Sequence, residues 1–407
     1  MTAAIPITHT PDLTSLITRQ KLGVALERDF YTSEAIYQQD LKKYWGESWH
    51  WAGHISQIPN SGDYFLFEFG TESVIISRDE SGTVHAHLNV CRHRGSRVCL
   101  ERSGNARNFT CPYHAWSYNL KGELRSGRLM PEGFKREDYG LFPAQLINYQ
   151  GLLFISLSDN PPALEKELSR MKPLTQPFGL EQLKIAHQAS YPVPANWKLA
   201  VENYMECYHC TPSHREYARS HSLKDLDAVK AMTPDMLKRS AAVGLPTEEM
   251  TMMGKLGDHL GHTIFYRRYP LFPGFDTGSE DGKALAPLLG ALKGYDGGAT
   301  DLQVGMLNNF LMYSDHVVGY RFLPKSRQET EIQTVWMVRA EAKEGRDYDL
   351  DKLIWLWDIT TQADEKIIRH NQEGVNSFHY QGGPLSEMEE GIVDFYADYL
   401  GLLEREQ

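Results

Sequence analysis

Two thiols and two imidazoles recur at short spacing in the stretch CRHRGSRVCLERSGNARNFTCPYH, Cys91 to His114. They form the pairs Cys91-x-His93 and Cys111-x2-His114, each a thiolate and an imidazole on one loop. Zinc fingers keep both Cys together and both His together, so mixed pairs argue against structural zinc. Mixed pairs suit a [2Fe-2S] cluster in which Cys91 and Cys111 hold one iron and His93 and His114 the other. Two thiolates leave the oxidised cluster neutral where four would leave it dianionic, so it accepts an electron more readily. Potentials of about −150 to +300 mV follow.

A second constellation is NWKLAVENYMECYHCTPSH, Asn196 to His214. Asn203, Glu206 and His209 recur every third residue, which predicts one helical face for all three. Pro212 disfavours helix at Thr211, so the helix is predicted to break just after His209 and let His214 fold back beside it. Two imidazoles so placed are half of a metal site, which iron oxygenases complete with one carboxylate, leaving positions open for O2. Asp364 is the candidate. On a 3.6-residue period Leu350, Leu353, Ile354, Trp357, Thr361, Asp364 and Ile368 share one stripe. Asp364 therefore points inward, an expensive placement unless it binds metal or pairs with a buried Arg. Asp358 and Glu365 point further round, towards solvent. Cys207 and Cys210, flanking His209, read as packed thiols rather than ligands. Cys99 has no obvious partner.

The elements that must position these residues are legible only in part. The chain has 407 residues, a length that implies two domains. A formal charge of −11 without a Lys or Arg run argues against nucleic acid or an anionic membrane as partner. No apolar run is long enough to span a membrane, MTAAIPITHTPD lacks a signal pattern, and five Cys suit a reducing compartment, so a soluble cytoplasmic protein is expected. Residues 1–45 read as an arm and a helix, with Glu34, Tyr37, Leu41, Tyr44 and Trp45 periodic from Ser33. Residues 46–160 read as a small all-β domain with runs at 64–67, 73–77 and 84–89, a hairpin at Asp79-Glu80-Ser81-Gly82 and a turn at Asn119 to Gly122. After a Pro-rich linker near 160–173, residues 161–407 read as a catalytic domain with strands at 262–269, 317–323 and 332–338. Ile332, Thr334, Trp336 and Val338 should share one face. The Gly-rich stretch 282–300 reads as a mobile excursion.

In combination, Cys-x-His-Arg-Gly, Cys-Pro-Tyr-His, Asn-Trp-Lys and Glu-Asn-x-x-Glu-x-Tyr-His-x4-His resemble the α subunit of Rieske non-haem iron oxygenases over nearly the whole chain. Tyr113 stands where respiratory Rieske proteins place an extra Cys. The resemblance implies an α+β architecture: a small all-β Rieske [2Fe-2S] domain plus a helix-grip catalytic domain, an antiparallel sheet with a long C-terminal helix. It implies mononuclear Fe(II) on His209, His214 and Asp364, and homotrimers. Glu206 takes the bridging position where most of the family has Asp, and is implied to link His209 to His93 or His114 of a neighbouring subunit. Glu206 with Glu-Cys-Tyr-His-Cys resembles the subgroup acting on glycine betaine, proline betaine and carnitine, whereas Tyr204-Met205 departs from it.

The expected reaction is O2-dependent hydroxylation or demethylation of a small substrate, with Glu206 and Asn203 in catalytic roles. A hydroxylated N-methyl group would collapse to formaldehyde and the demethylated amine. No G-x-G-x-x-G follows a strand, so a separate flavin/ferredoxin-type NAD(P)H reductase must supply electrons. Tyr204, Tyr208, Tyr266, Phe310 and Trp336 are candidates for a cage around a quaternary ammonium. The alternatives are hydroxylation or cis-dihydroxylation of an aromatic acid, and a Rieske electron carrier without oxygenase activity.

Overall fold

The computed structural model describes residues 12–254 and 263–404. His262 of the expected strand and residues 1–11 of the expected N-terminal arm lie outside the described residues, and the described part of the arm forms the short helices Leu13–Arg19 and Arg28–Thr32.

The expected helix after Ser33 forms, capped by the Ser33 hydroxyl, which accepts from Ile36 N–H. It runs Glu34–Gln39 and then widens into a π-helical turn, Asp40–Trp45. The wider turn carries Asp40 into the protein, where its carboxylate pairs with Lys198 and accepts from Tyr399 (2.6 Å) and Trp197 (3.2 Å). This buried pair fastens the N-terminal segment to the helix Trp197–Tyr204 that opens the metal site.

The cluster domain is all β, as read. One sheet has the order Val84–Leu88, Glu72–Arg78, Asp63–Phe69, Ser103–Asn105, and a second joins Phe109–Thr110, Ser117–Tyr118 and Leu124–Ser126. The Asp79 carboxylate closes the expected hairpin by accepting from Ser81 N–H (2.8 Å) and Thr83 N–H (3.0 Å). A third sheet, His50–His54, Leu152–Ser156, Gln145–Tyr149, lies against the catalytic domain: Trp51 N–H donates to Asn308, and the Trp51 ring packs on Phe310 at 4.7 Å.

The catalytic sheet has seven antiparallel strands in the order Leu183–Val193, Glu329–Arg339, Val317–Ser326, Asn308–Met312, Gly298–Val304, Ile264–Pro270, Met250–Met253. Strand alternation gives it two unlike faces. Tyr266, Leu302, Phe310 and Met337 pack towards the cluster domain and the helix Leu164–Thr175, while Tyr269, Leu311, Tyr320, Trp336 and Val338 pack beneath the helix Leu350–Val375. Ile332, Thr334, Trp336 and Val338 do share a face.

Two expectations are corrected. The stretch 282–300 is no mobile excursion: Leu289 is fully buried, Asp296 pairs with Arg268, and its last residues begin the strand Gly298–Val304. Gly content signals backbone freedom, but side-chain anchors decide whether it is used. Nor is Leu350–Val375 the terminal helix, because Glu390–Glu404 follows and buries Phe395 and Tyr399 against Tyr44 and Trp197. No helix among the described residues is long and apolar enough to cross a membrane.

Candidate metal centres

The four residues read as cluster ligands sit on two loops of one construction. Cys91 N–H donates to Ser96 O (2.8 Å) and Cys91 O accepts from Gly95 N–H (2.9 Å); Cys111 N–H donates to Trp116 O (2.8 Å) and Cys111 O accepts from Ala115 N–H (3.0 Å). Gly95 and Ala115 hold the equivalent place with φ of 75° and 58°. Each loop therefore reverses within five residues and lifts its His to the tip. Ala115 adopts this left-handed conformation despite its Cβ, at a cost of about 1–2 kcal/mol.

Cys91 and Cys111 are buried, His93 is half-buried and His114 is exposed. The two imidazole centroids are 4.7 Å apart, and His93 stacks on Trp116 at 4.9 Å. Burial pushes the Cys91 thiol up, although the Tyr118 hydroxyl lies 3.3 Å from its sulfur. A thiolate there needs a cation beside it. Nδ1 of His93 is buried with no hydrogen-bond partner among the described residues, an orphan that a metal bond satisfies. Two buried sulfurs opposite two outward imidazoles fit a [2Fe-2S] cluster, with the imidazole edge towards solvent.

The second centre departs from the sequence reading in its backbone. The helix ends at Tyr204, five residues earlier than expected, with Met205 as its cap, so Asn203 is helical whereas Glu206 and His209 lie beyond. The Glu206 carboxylate stops the helix, since it accepts from the Tyr208 and His209 N–H groups that would otherwise continue the ladder. A short helix, Cys210–Ser213, then carries Pro212 in its first turn, where the missing N–H has no helical partner to lose. Cys207 and Cys210 are not free thiols: they form a disulfide across the turn that holds His209. Among the described cysteines, Cys91, Cys99 and Cys111 are free, and burial pushes Cys99 up to about 12.

His209, His214 and Asp364 nevertheless converge, with donor atoms within 4.8 Å of one another. The two Nε2 atoms are 3.0 Å apart, and Asp364 Oδ1 lies 2.8 Å from His214 Nε2 and 3.4 Å from His209 Nε2. Ligands at right angles with bonds of about 2.1 Å would stand about 3.0 Å apart. Three donors at that spacing fit one ion bound on a single octahedral face. Glu206 Oε1 accepts from His209 Nδ1 at 2.5 Å, which fixes the tautomer and leaves the Nε2 lone pair for metal. Asn203 Nδ2 is 3.4 Å from the same Nε2.

Burial opposes charge on both His209 and Asp364, and their mutual contacts override it. The imidazole of His209 is raised to about 9 by Asp364 and Glu206, and the Asp364 carboxyl is held below its usual range by His209 and His214. A proton and a metal ion compete for this nitrogen.

The triad lines a cavity of about 570 Å³. Tyr204 lines it as expected, but the other cage candidates do not. Tyr208 is exposed, Tyr266 and Phe310 lie on the opposite face of the sheet, and Trp336 is on the correct face but packed within the core. The aromatic lining instead comes from Tyr217, Phe265, Tyr269 and Trp357, with Arg267 and Asp301 beside them. Phe265, Arg267 and Tyr269 alternate on one strand. Tyr266 has the opposite parity and packs on the other face of the sheet. Among the described lining residues Arg267 faces seven carboxylates: Glu206, Glu249, Asp301, Asp364, Glu387, Glu390 and Asp394. The cavity is acidic and aromatic.

Residues 48–139 match the Rieske [2Fe-2S] domain, and residues 180–264 and 308–404 match the ring hydroxylating alpha subunit catalytic domain. The glycine betaine monooxygenase oxygenase subunit of Chromohalobacter salexigens is 34% identical over 400 residues, 96% of this chain and 88% of that one. The carnitine monooxygenase oxygenase subunit of Acinetobacter baumannii is 37% identical over 196 residues, 47% of this chain and 53% of that one. The structure of a quaternary ammonium Rieske monooxygenase bound to an inhibitor shares the fold, with a TM-score of 0.73 and 21% identity over 96% of this chain and 98% of that one. With both domain matches and near full-length similarity beside the two donor sets, the chain belongs to the Rieske non-haem iron oxygenase α subunits, which carry a [2Fe-2S] cluster and a mononuclear iron.

Proposed function

We propose that this oxygenase hydroxylates an N-methyl group of a small quaternary ammonium compound of the betaine type, releasing formaldehyde and the demethylated amine. The observation that carries the reading is the cavity beside the triad: aromatic faces and an excess of carboxylates attract a desolvated cation. A quaternary ammonium over such faces gains about 2 kcal/mol or more. An aromatic acid would bring a carboxylate without the cation that these faces and carboxylates favour. The relatives named for glycine betaine and carnitine support the choice.

In this reading Cys91 and Cys111 hold one cluster iron and His93 and His114 the other, while His209, His214 and Asp364 hold the mononuclear iron. When bound, these centres supply O2 activation and the electrons for it, delivered by a flavin/ferredoxin-type NAD(P)H reductase. The chain's own side chains do the rest. Glu206 keeps the proton of His209 on Nδ1, so that Nε2 stays free for the ion. Asn203 stands beside this ligand, its amide 3.4 Å from that Nε2. Tyr204, Tyr217 and Tyr269 line the space in which the methyl group is held.

The working assembly is a homotrimer in which Glu206 also meets His93 or His114 of the next subunit, giving the electron a short path. The test is O2 uptake with a reductase supplied, across betaines, choline and aromatic acids. Betaine-dependent uptake with one formaldehyde per O2 is the expected result; uptake with aromatic acids alone would overturn the reading.

A further inference from the structure

The cavity holds a polar pair that metal binding does not use. Arg267 and Asp301 face each other across adjacent strands, and Leu311, Val318 and Trp336 continue the same cross-strand row. Alternation turns both side chains to the cavity, which they line together with the triad. Their charged groups form no ion pair with one another. Oδ1 of Asp301 is shut off from solvent and has no hydrogen-bond partner among the described residues. The Tyr204 hydroxyl, in the same cavity and close enough to feel the Asp301 charge, is also without one.

Native proteins rarely leave buried polar atoms unmatched, and an orphan facing a cavity marks where a ligand supplies the missing contact. Burial lifts the Asp301 carboxyl to about 7, with Arg267 pulling the other way. A cation brought beside it, a quaternary ammonium included, offsets this burial by its charge and favours the carboxylate form. Arg267 is the one Lys or Arg side chain among the described lining residues. With no ion pair to Asp301, its guanidinium is open to an anionic group on the substrate. One anion acceptor and one cation acceptor on neighbouring strands describe a short zwitterion.

The geometry points to Asp301 and Arg267 as the residues that set specificity, Asp301 with Tyr204 facing the quaternary ammonium and Arg267 the carboxylate of a betaine. This assignment rests on the quaternary ammonium reading and sharpens it: the site discriminates a zwitterion from a simple cation by the second charge, not by the first. Choline, which keeps the trimethylammonium and replaces the carboxylate by a hydroxyl, is therefore the informative competitor. A site built around an ionic partner rejects the analogue lacking it by a large factor, about 100-fold or more.

The experiment uses the iron-loaded holoenzyme with its reductase, and reads KM and kcat for glycine betaine and choline by formaldehyde release. Wild type should prefer betaine by about 100-fold in kcat/KM. Arg267→Met should raise the betaine KM by about 30-fold or more and leave choline within about twofold, so that the preference collapses. Asp301→Asn should raise KM for both compounds by a similar factor with kcat less affected. Asp301→Glu should restore much of the loss, which separates charge from folding; iron content and the cluster spectrum serve as folding controls. Betaine turnover by wild type with unchanged KM in Arg267→Met and Asp301→Asn would overturn this assignment alone. Absence of both betaine and choline turnover in wild type would overturn the substrate reading and the assignment with it.

Discussion

The two metal centres of this chain are built on opposite plans. The candidate cluster donors come from two neighbouring loops that repeat one hydrogen-bond pattern around Cys91 and Cys111, and the imidazoles end near the surface. The candidate mononuclear donors come from a turn after one helix and from the middle of a distant one, and they meet at a cavity. A loop closed by its own backbone bonds needs little from the rest of the fold. A triad joined by helix packing needs the sheet, the helix Leu350–Val375 and the buried Asp40–Lys198 pair to be in place. The lesson is that electron storage can sit on an independent local motif, whereas substrate chemistry needs a cavity that several distant elements build together.

This difference makes the centres separable. His209→Ala or His214→Ala should empty the mononuclear site and abolish turnover, by about three orders of magnitude or more, while the visible spectrum of the cluster survives. Metal analysis with the spectrum checks it, and loss of the cluster in either variant would break the contrast. Glu206→Gln should keep both centres but slow reoxidation of the pre-reduced cluster by O2 plus substrate, by about 100-fold. Single-turnover kinetics read this step, and a wild-type rate would remove Glu206 from the electron path. Asp364→Asn should weaken iron binding by about 10- to 100-fold, because a neutral amide replaces an anionic donor. Full occupancy would transfer the third ligand to another carboxylate, with Glu365 next to be tested.

The smallest effect concerns the support beneath the catalytic centre. Burial lifts Glu202 to about 7, against the hydrogen bonds it accepts from Tyr31 at 2.9 and 3.1 Å. A folded pKa above the unfolded value of 4.5 means that the native state holds an extra proton between these limits. Its stability contribution is full below about 4.5 and is lost as pH rises through about 7, by at most about 3 kcal/mol. Glu202→Gln should flatten the fall in thermal midpoint from pH 5 to pH 8. An unchanged slope would mean that Glu202 is ionised throughout.

Both donor sets were legible because ligand chemistry restricts residue type and local spacing. Asp364 was legible for a different reason, as a charge on an apolar stripe that a long helix could be seen to bury. What failed was conformation at short range and direction at long range. Nothing in the three-residue recurrence of Asn203, Glu206 and His209 shows that the Glu206 carboxylate would end the helix instead of riding on it. Nothing in CYHC shows that Cys207 and Cys210 would bond, because that depends on the turn bringing their Cα atoms to 4.9 Å.

The sequence by itself determined the two candidate donor sets and the β runs of the cluster domain, which rest on residue types at short spacing or on a regular period, and the motifs carried the resemblance that implied the family and the catalytic domain. Only the tertiary structure decided the cavity. Whether Tyr266 or its neighbours Phe265 and Arg267 face the metal is a matter of strand parity, and parity is set by which face the cluster domain covers. Asp301 acquires meaning only when the strand Gly298–Val304 pairs with Ile264–Pro270 and turns its carboxylate to the cavity. Burial and orientation arise from contacts between segments far apart in the chain, and no local pattern carries them.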